Sequence, residues 1–327
     1  MTIDSNGQAR KEQERQTGER RFQDGVEAYN DGKLEKAIEA FGDAEIRFRL
    51  IGDFKRAGDS RTLIAEVQRE NNSLEPAINS YHRAQNLYRD AGQPLLEAAS
   101  SLSIGHAERQ MAHLDRAQDA YQAAQQIYRT HQNAHGSGNV ELALGHIELQ
   151  RGNTSYATEH YQDAIRYFHE ANDPINEADA SRSLADIERL ARHFENALDA
   201  YRQALDIYHN AQDNFGVIDA LIGLGRIYLD QEQLDQAADA FADALSQAER
   251  LEYELGQADA SLGLAEISFL QNRVDQALIG AQSALQLYTD QRNALGVAQA
   301  SRLLGEINLR RGQLSYANSL MERALRT

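Results

Sequence analysis

The same residue types recur along this chain at a fixed interval of 40 residues, in eight copies. Alanine holds one position in every copy: Ala37, Ala77, Ala117, Ala157, Ala197, Ala237, Ala277 and Ala317. A second alanine follows seven residues later, and in most copies a ring stands between the two: Phe41, Tyr81, Tyr121, Tyr161, Tyr201 and Phe241. Offsets of zero, four and seven share one face of an α-helix, so the pattern predicts a helix, here called helix B, that another helix crosses closely.

A second periodic segment lies 12 residues before the first alanine of each copy. Its small residues are Gly25, Ala65, Gly105, Gly145, Ala185, Gly225, Ala265 and Gly305. Leucine and isoleucine flank these positions in most copies, as expected for a helix face that packs in a core. Residues that break helices fall between the segments, at Gly32, Gly152, Gly312, Pro94 and Pro174. Each copy is therefore predicted to be a hairpin of this segment, helix A, with helix B.

This arrangement resembles the tetratricopeptide repeat, from about Gly18 to Leu325. The 40-residue unit is similar to the longer variety found in Pins-type adaptors and in the sensor arrays of bacterial regulators. The resemblance implies an all-α fold, a right-handed superhelical solenoid of eight tandem helical hairpins. We predict a flexible polar leader at residues 1–17 and a single array at 18–327, with repeats at about 18–53, 54–93, 94–133, 134–173, 174–213, 214–253, 254–293 and 294–327.

Charge and composition exclude several functions. The formal net charge is −17, which argues against a nucleic-acid partner because binding a polyanion depends on Lys and Arg. The chain has no cysteine, so disulfides, thiolate metal ligands and thiol nucleophiles are excluded. No segment approaches about 18 consecutive apolar residues, and the start lacks the apolar core of a signal peptide. We predict a cytoplasmic protein without membrane insertion.

In the tetratricopeptide family helix A lines the inner wall of the superhelix, so its free face is the candidate partner surface. We call the residues one and four after the small residue, and three before it, the contact rows. The predicted contact residues are Thr62, Glu66, Arg69, Leu102, His106, Arg109, Leu142, His146, Leu149, Arg182, Asp186, Arg189, Ile222, Arg226, Leu229, Leu262, Glu266 and Phe269. A solvated face would also vary between copies, but it would not need the apolar members. A groove mixing apolar residues and arginines suits an amphipathic helix or an extended peptide.

Other patterns have simpler explanations than chemistry. His106 and His146 hold equivalent positions, but packed helices lie about 8–10 Å apart, so we predict a polar lining and no metal site. His131 and His135 have the spacing of a helical metal pair, yet they precede a glycine-rich junction at Gly136 that predicts a bend. A row of rings near the end of helix B is predicted to be inter-repeat core rather than a base-stacking surface: Phe48, Tyr88, Tyr128, Phe168, Tyr208 and Tyr288.

No nucleophile motif or cofactor fingerprint is present, so we predict neither an enzyme nor a cofactor. The sequence favours a scaffold whose groove binds a peptide or amphipathic helix of a protein partner, basic or amphipathic in character. Two alternatives remain. One is a regulatory sensor array whose superhelix responds to a small signal or peptide. The other is a scaffold that forms homo-oligomers through an uncapped C-terminal repeat.

Overall fold

Helices are the only regular secondary structure in the computed structural model over the residues that it describes, 4–315 and 317–319. They are α1 (Asp4–Asn30), α2 (Leu34–Leu50), α3 (Phe54–Glu70), α4 (Leu74–Asp90), α5 (Pro94–Gln110), α6 (Leu114–Thr130), α7 (Ala134–Gln150), α8 (Thr154–Glu170), α9 (Pro174–Leu190), α10 (Phe194–Ala211), α11 (Asn214–Asp230), α12 (Leu234–Arg250), α13 (Glu254–Leu270), α14 (Val274–Asp290) and α15 (Ala294–Arg310). Leu314, Ser315 and residues 317–319 are also helical. Odd-numbered helices are the predicted helices A, and even-numbered helices are the predicted helices B.

Short turns of one geometry join the helices. A residue in the left-handed conformation recurs at 20-residue intervals from Gly32 to Gly312. Beyond it, an amide hydrogen bond runs back to the last turn of the helix, as from Lys33 N–H to the Ala28 carbonyl at 2.8 Å. The predicted breakers Gly32, Gly152 and Gly312 are confirmed in this role. Ten of these positions carry residues other than glycine, which is why sequence alone marked few of them.

The chain forms two compact units, Met1–Asn172 and Asp173–Thr327. The first contains α1 to α8, and the second contains α9 to α15 and the helical residues that follow. The boundary coincides with the predicted start of the fifth repeat at Pro174, the first residue of α9. The predicted self-association surface at the end of the last repeat falls at residues 320–327, outside the described residues.

The rings of helix B pack directly on the small residues of helix A in the same repeat. In the first unit, a Cβ atom built on Gly105 would lie 2.3 Å from Cε1 of Tyr121, so the ring touches the α5 backbone. In the second unit, Phe241 stands in the same relation to Gly225. Both rings are almost fully buried. The alanine and ring pattern therefore identifies the core of each hairpin, as predicted.

The second row of rings is also core. Phe48, Tyr88, Tyr128 and Phe168 are buried in the first unit, and Tyr208 and Tyr288 are buried in the second. Tyr128 lies against Gly136 at the start of the next helix A, where a built Cβ would be 2.4 Å from the ring. Tyr208 and Tyr288 lie in the same way against Gly216 and Gly296, so these three rings join successive repeats, whereas Phe168 packs on Gly138 of its own repeat.

Two local predictions differ from the structure. Residues 4–17, predicted as a flexible leader, are part of α1, where Glu14 forms an ion pair with Arg47 at 2.7 Å. The segment is rich in Gln, Glu and Arg, which favour a helix even without an apolar stripe. The predicted bend at Gly136 lies inside α7, because Asn133 caps that helix and the ring of Tyr128 fills the space beside the glycine.

Candidate functional site

The contact rows lie on α3, α5 and α7 in the first unit and on α9, α11 and α13 in the second. Most of their side chains are at least partly open to solvent. Ile222 is the exception, because it is 3% exposed and packs with Phe241 in the core. A contact role for Ile222 does not fit this burial. The predicted surface is therefore open, but one of its members belongs to the core.

Tyrosine hydroxyls fix the first contact row. Tyr81 donates a hydrogen bond to Glu66 at 2.6 Å, and Tyr201 donates one to Asp186 at 2.8 Å. The same contact joins Tyr121 to Nδ1 of His106 at 2.9 Å and Tyr161 to Nδ1 of His146 at 2.8 Å. Where the ring is phenylalanine, the row holds Val26 or Arg226 instead. Much of the variation in this row therefore follows from the ring 15 residues later, a pairing that the repeat pattern alone does not indicate.

The two histidines of this row each lie beside a tyrosine hydroxyl. The part of the chain that the structure describes contains no group of three His, Asp or Glu side chains arranged to hold a metal ion. Desolvation in the crowded row lowers the pKa of His106, and the charges of Arg109 and Arg69 lower it further. His106 is therefore neutral at pH 7, although part of its ring is open to solvent.

Arginines of the contact rows bridge successive helices A in the second unit. Arg182 on α9 lies 3.4 Å from Asp219 on α11. Arg189 reaches Asp230 at 2.6 Å, and Arg226 on α11 reaches Asp259 on α13 at 2.9 Å. The three aspartates were not among the predicted contact residues. The arginines are therefore held in position, with their charges already balanced.

A cavity of about 780 Å³ lies along these helices in the second unit. Its charged lining includes Arg189, Arg226, Arg302, Asp230, Asp259 and Glu266, and its apolar lining includes Leu229, Leu234, Leu262 and Leu270. Leu270 is 55% exposed at the end of α13, and the neighbouring Phe269 lies under the guanidinium of Arg310, 4.1 Å from the ring centre. The cavity thus combines paired charges with accessible leucines.

A smaller cavity of about 490 Å³ lies between α3, α5 and α7 in the first unit. Its lining consists of Glu66, Arg69, Ser103, His106, Arg109, Gln110 and Gln150. Glu66 is bound by Arg69 at 2.8 Å as well as by Tyr81. The two units therefore present different chemistry on equivalent helix faces, with apolar side chains in the second cavity and polar ones in the first.

A buried carboxylate connects three helices outside the contact rows. Glu141 on α7 is 3% exposed and accepts hydrogen bonds from Gln125 at 2.8 Å and Arg129 at 3.0 Å, both on α6. Nδ1 of His160 on α8 lies 2.7 Å from its other oxygen. The hydrogen bond with Glu141 raises the pKa of His160 despite desolvation, and the negative charges of Glu141, Glu148 and Asp163 add to the effect.

This contact predicts a pH-dependent stability of the first unit. Because the folded pKa of His160 is raised, its contribution is fully present below pH 6.5 and is lost as the pH rises through the folded value. The urea midpoint should therefore fall between about pH 6 and about pH 9 more for the wild type than for His160→Gln. His82→Gln, at an exposed position on α4, is the control and should behave as the wild type. Identical pH profiles for His160→Gln and the wild type would contradict the assignment.

None of the helices in the described part of the chain has the length and apolar composition needed to cross a membrane.

Tandem hairpins, in most of which a ring of helix B packs on the small residue of helix A, define an all-α helical repeat protein. Family models of the tetratricopeptide repeat match residues 176–250 and 222–292, and a model of the soluble NSF attachment protein, SNAP, matches residues 6–131. The chain is a repeat protein of the tetratricopeptide type. No curated protein matches the sequence significantly.

Solved structures share this fold at low sequence identity. Aspartyl phosphate phosphatase F from Bacillus subtilis aligns with a TM-score of 0.70 at 10% identity, over 95% of this chain and 93% of that one. The apo form of RapI aligns with a TM-score of 0.67 at 14% identity, over 84% of this chain and 98% of that one. The Rap conjugation gene regulator of plasmid pLS20, in complex with the Phr* peptide, aligns with a TM-score of 0.56 at 16% identity. The alignment covers 93% of this chain and 72% of that one. At such identities the likeness concerns the fold alone.

Proposed function

We propose that this protein is a non-catalytic interaction scaffold that binds a peptide or an amphipathic helix of a protein partner along the contact rows. The cavity of the second unit carries this proposal. It is lined by side chains of α9, α11, α13 and α15, and it offers leucines beside ordered charges. Its volume of about 780 Å³ is suited to side chains inserted from a ligand that continues beyond the cavity.

The apolar rim supports a ligand with an apolar face. Leu190, Leu270 and Leu309 are more than half exposed at the ends of α9, α13 and α15. Equivalent positions in the first unit hold polar residues such as Glu70, Gln110 and Arg69. Burying the leucines under an apolar stripe would release ordered water, while the fixed arginines and aspartates would select the polar side of the ligand.

The ionic contacts support binding rather than catalysis. Glu66, Asp186 and Glu266 on the first contact row each hold a hydrogen bond or an ion pair within the protein. A phosphatase shares the fold, so the fold by itself decides nothing about catalysis. The Rap regulator of pLS20 was solved with a peptide, which shows that this fold accommodates such a ligand in that protein.

The bridges between helices A favour a second candidate, a regulatory sensor. A ligand that took over Arg182 or Arg226 would release Asp219 or Asp259 and weaken the connection between successive helices. Hydrogen exchange with bound ligand separates the two functions. A scaffold should show protection confined to the contact rows, whereas a sensor should show changed exchange at the helix contacts behind them as well.

The groove is tested by selecting 16-residue peptides from a random displayed library against the intact chain, about 16 being four to five helical turns. The double variant Leu229→Ser and Leu270→Ser should weaken a selected peptide by about tenfold or more, because both leucines line the cavity. The affinity is measured by calorimetry, and circular dichroism confirms that helicity is unchanged.

The matched control is Leu251→Ser with Ile279→Ser, two exposed apolar residues outside the cavity lining. This variant should bind within about twofold of the wild type. The proposal is overturned if no peptide is selected, or if the cavity variant and the control bind equally well.

A further inference from the structure

One arginine of the contact rows has no acidic partner. Arg69, Arg182, Arg189, Arg226 and Arg302 each lie within 3.4 Å of a carboxylate oxygen. Arg109 on α5 forms no ion pair within the described part of the chain, and its guanidinium interacts with the hydroxyl of Tyr121 instead. The buried Nε of Arg109 has no hydrogen-bond acceptor, but neither do those of Arg182 and Arg189, so it is the missing carboxylate that distinguishes Arg109.

The surroundings of Arg109 favour an anion. It lines the cavity of the first unit together with Arg69 and Glu66. Glu66 is held by Arg69 and by the hydroxyl of Tyr81, and no ion pair joins it to Arg109. The rest of the lining is neutral: Ser103, His106, Gln110 and Gln150. Two arginines against one carboxylate leave the cavity with one net positive charge.

The charge balance distinguishes between anions. A phosphoryl group carries close to two negative charges at neutral pH and would meet the repulsion of Glu66 in the same cavity. A carboxylate carries one charge, which matches the single unbalanced arginine. The planar guanidinium donates two parallel hydrogen bonds to the two oxygens of a carboxylate, a geometry that a lysine ammonium would not provide.

We propose that the cavity of the first unit is a subsite for one acidic side chain, Asp or Glu, of the bound peptide, and that Arg109 holds its carboxylate. This inference rests on the proposed function, because the acidic side chain belongs to the ligand of the contact rows. It adds a requirement that the second unit does not impose, since every contact-row arginine there is already paired.

The test compares a selected peptide with the same peptide carrying Glu→Gln, on the intact chain. With the wild type, loss of the acidic side chain should weaken binding by about tenfold or more. With Arg109→Gln, the two peptides should bind within about twofold of each other, both at the weaker level. Arg116→Gln, an exposed arginine on α6 of the same repeat, is the matched control and should keep the full preference.

A second variant should change the affinity for the acidic peptide in the opposite direction. Glu66→Gln keeps an oxygen for the hydroxyl of Tyr81 but removes the charge that balances Arg69. It should bind the acidic peptide several-fold more tightly than the wild type, and a phosphoserine in place of Glu should gain most. A merely structural role of Arg109 predicts none of these differences between peptides.

The outcomes separate this inference from the proposed function. If peptides are selected but bind Arg109→Gln and the wild type with the same Glu preference, the subsite is overturned while the scaffold stands. If no peptide is selected, the scaffold is overturned. Whether the subsite exists is then tested by titrating N-acetylglutamate amide into the intact chain and following the Nε–H signal of Arg109 by NMR. A saturable shift absent with N-acetylglutamine amide supports the subsite, and no shift overturns it.

Discussion

Replacing Phe241 with alanine should lower the stability of the second unit by about 3–5 kcal/mol. The ring is 1% exposed and lies between α11 and α13. Cβ atoms built on Gly225 and Gly263 would lie 2.9 and 2.5 Å from its carbons, so both helices approach the ring with bare backbone. Removing the ring leaves a cavity that these two glycines cannot fill, and the surrounding helices cannot collapse without breaking their other contacts.

The control for this variant is Phe215→Ala. Phe215 lies on α11, the same helix as Gly225, but it is 53% exposed and touches only the edge of Tyr253 among the described rings. Its loss should cost about 1 kcal/mol or less. Urea titration measures the loss of overall stability. Because repeat proteins can unfold in parts, hydrogen exchange of α11 to α13 measures the loss of local stability. Equal effects of the two substitutions would show that the ring between the helices is not the core of the unit.

Gly263→Leu should destabilise the second unit by about 3 kcal/mol on its own, yet should stabilise a protein that already carries Phe241→Ala. Alone, the new side chain collides with the ring, since its Cβ would lie 2.5 Å from Cζ of Phe241. The seventh repeat shows the compensated arrangement, because Ala281 replaces the ring there and Leu303 replaces the glycine. Ala281 and Leu303 are both buried in one cluster.

The two variants and their combination form a double-mutant cycle. The double variant should recover at least half of the stability lost by Phe241→Ala, which, with the loss of about 3 kcal/mol for Gly263→Leu alone, corresponds to a coupling energy of about 4.5 kcal/mol or more. The measurement is the urea midpoint of each protein under one set of conditions. Additive losses in the double variant would mean that leucine cannot occupy the space of the ring, and that the seventh repeat packs by other means.

Much of the fold followed from local pattern. Alanine at Ala237 and a ring at Phe241 predict a close helix crossing because the same offsets define a helix face in any repeat. The helical start of α1 was not predicted, since residues 4–17 lack an apolar stripe and are helical by propensity and by pairs such as Glu14 with Arg47. The burial of Ile222 was missed because a contact row was assigned by position and not by the neighbours of each side chain.

The candidate site was predictable only in outline. The spacing between Arg226 and Asp259 is 33 residues, and that between Arg189 and Asp230 is 41, so neither pair follows the repeat length. Which acid an arginine reaches depends on how far successive helices are displaced along their axes, and a list of residues does not contain that displacement. For the same reason, the lack of a carboxylate partner at Arg109 is visible only in three dimensions.

The uniform turns bear on which insertions and deletions of sequence such a chain can accept. The left-handed turn residue recurs every 20 residues, between hairpins as well as within them, so the backbone treats each helix alike. The side chains do not, because in the pairs that carry the ring helix B contributes it and helix A packs its small residue against it. Duplication or loss of a 20-residue segment would preserve every turn. It would, however, place two ring-bearing helices, or two helices with small residues, side by side. In a gene of this kind, tolerated gains and losses should come in steps of 40 codons.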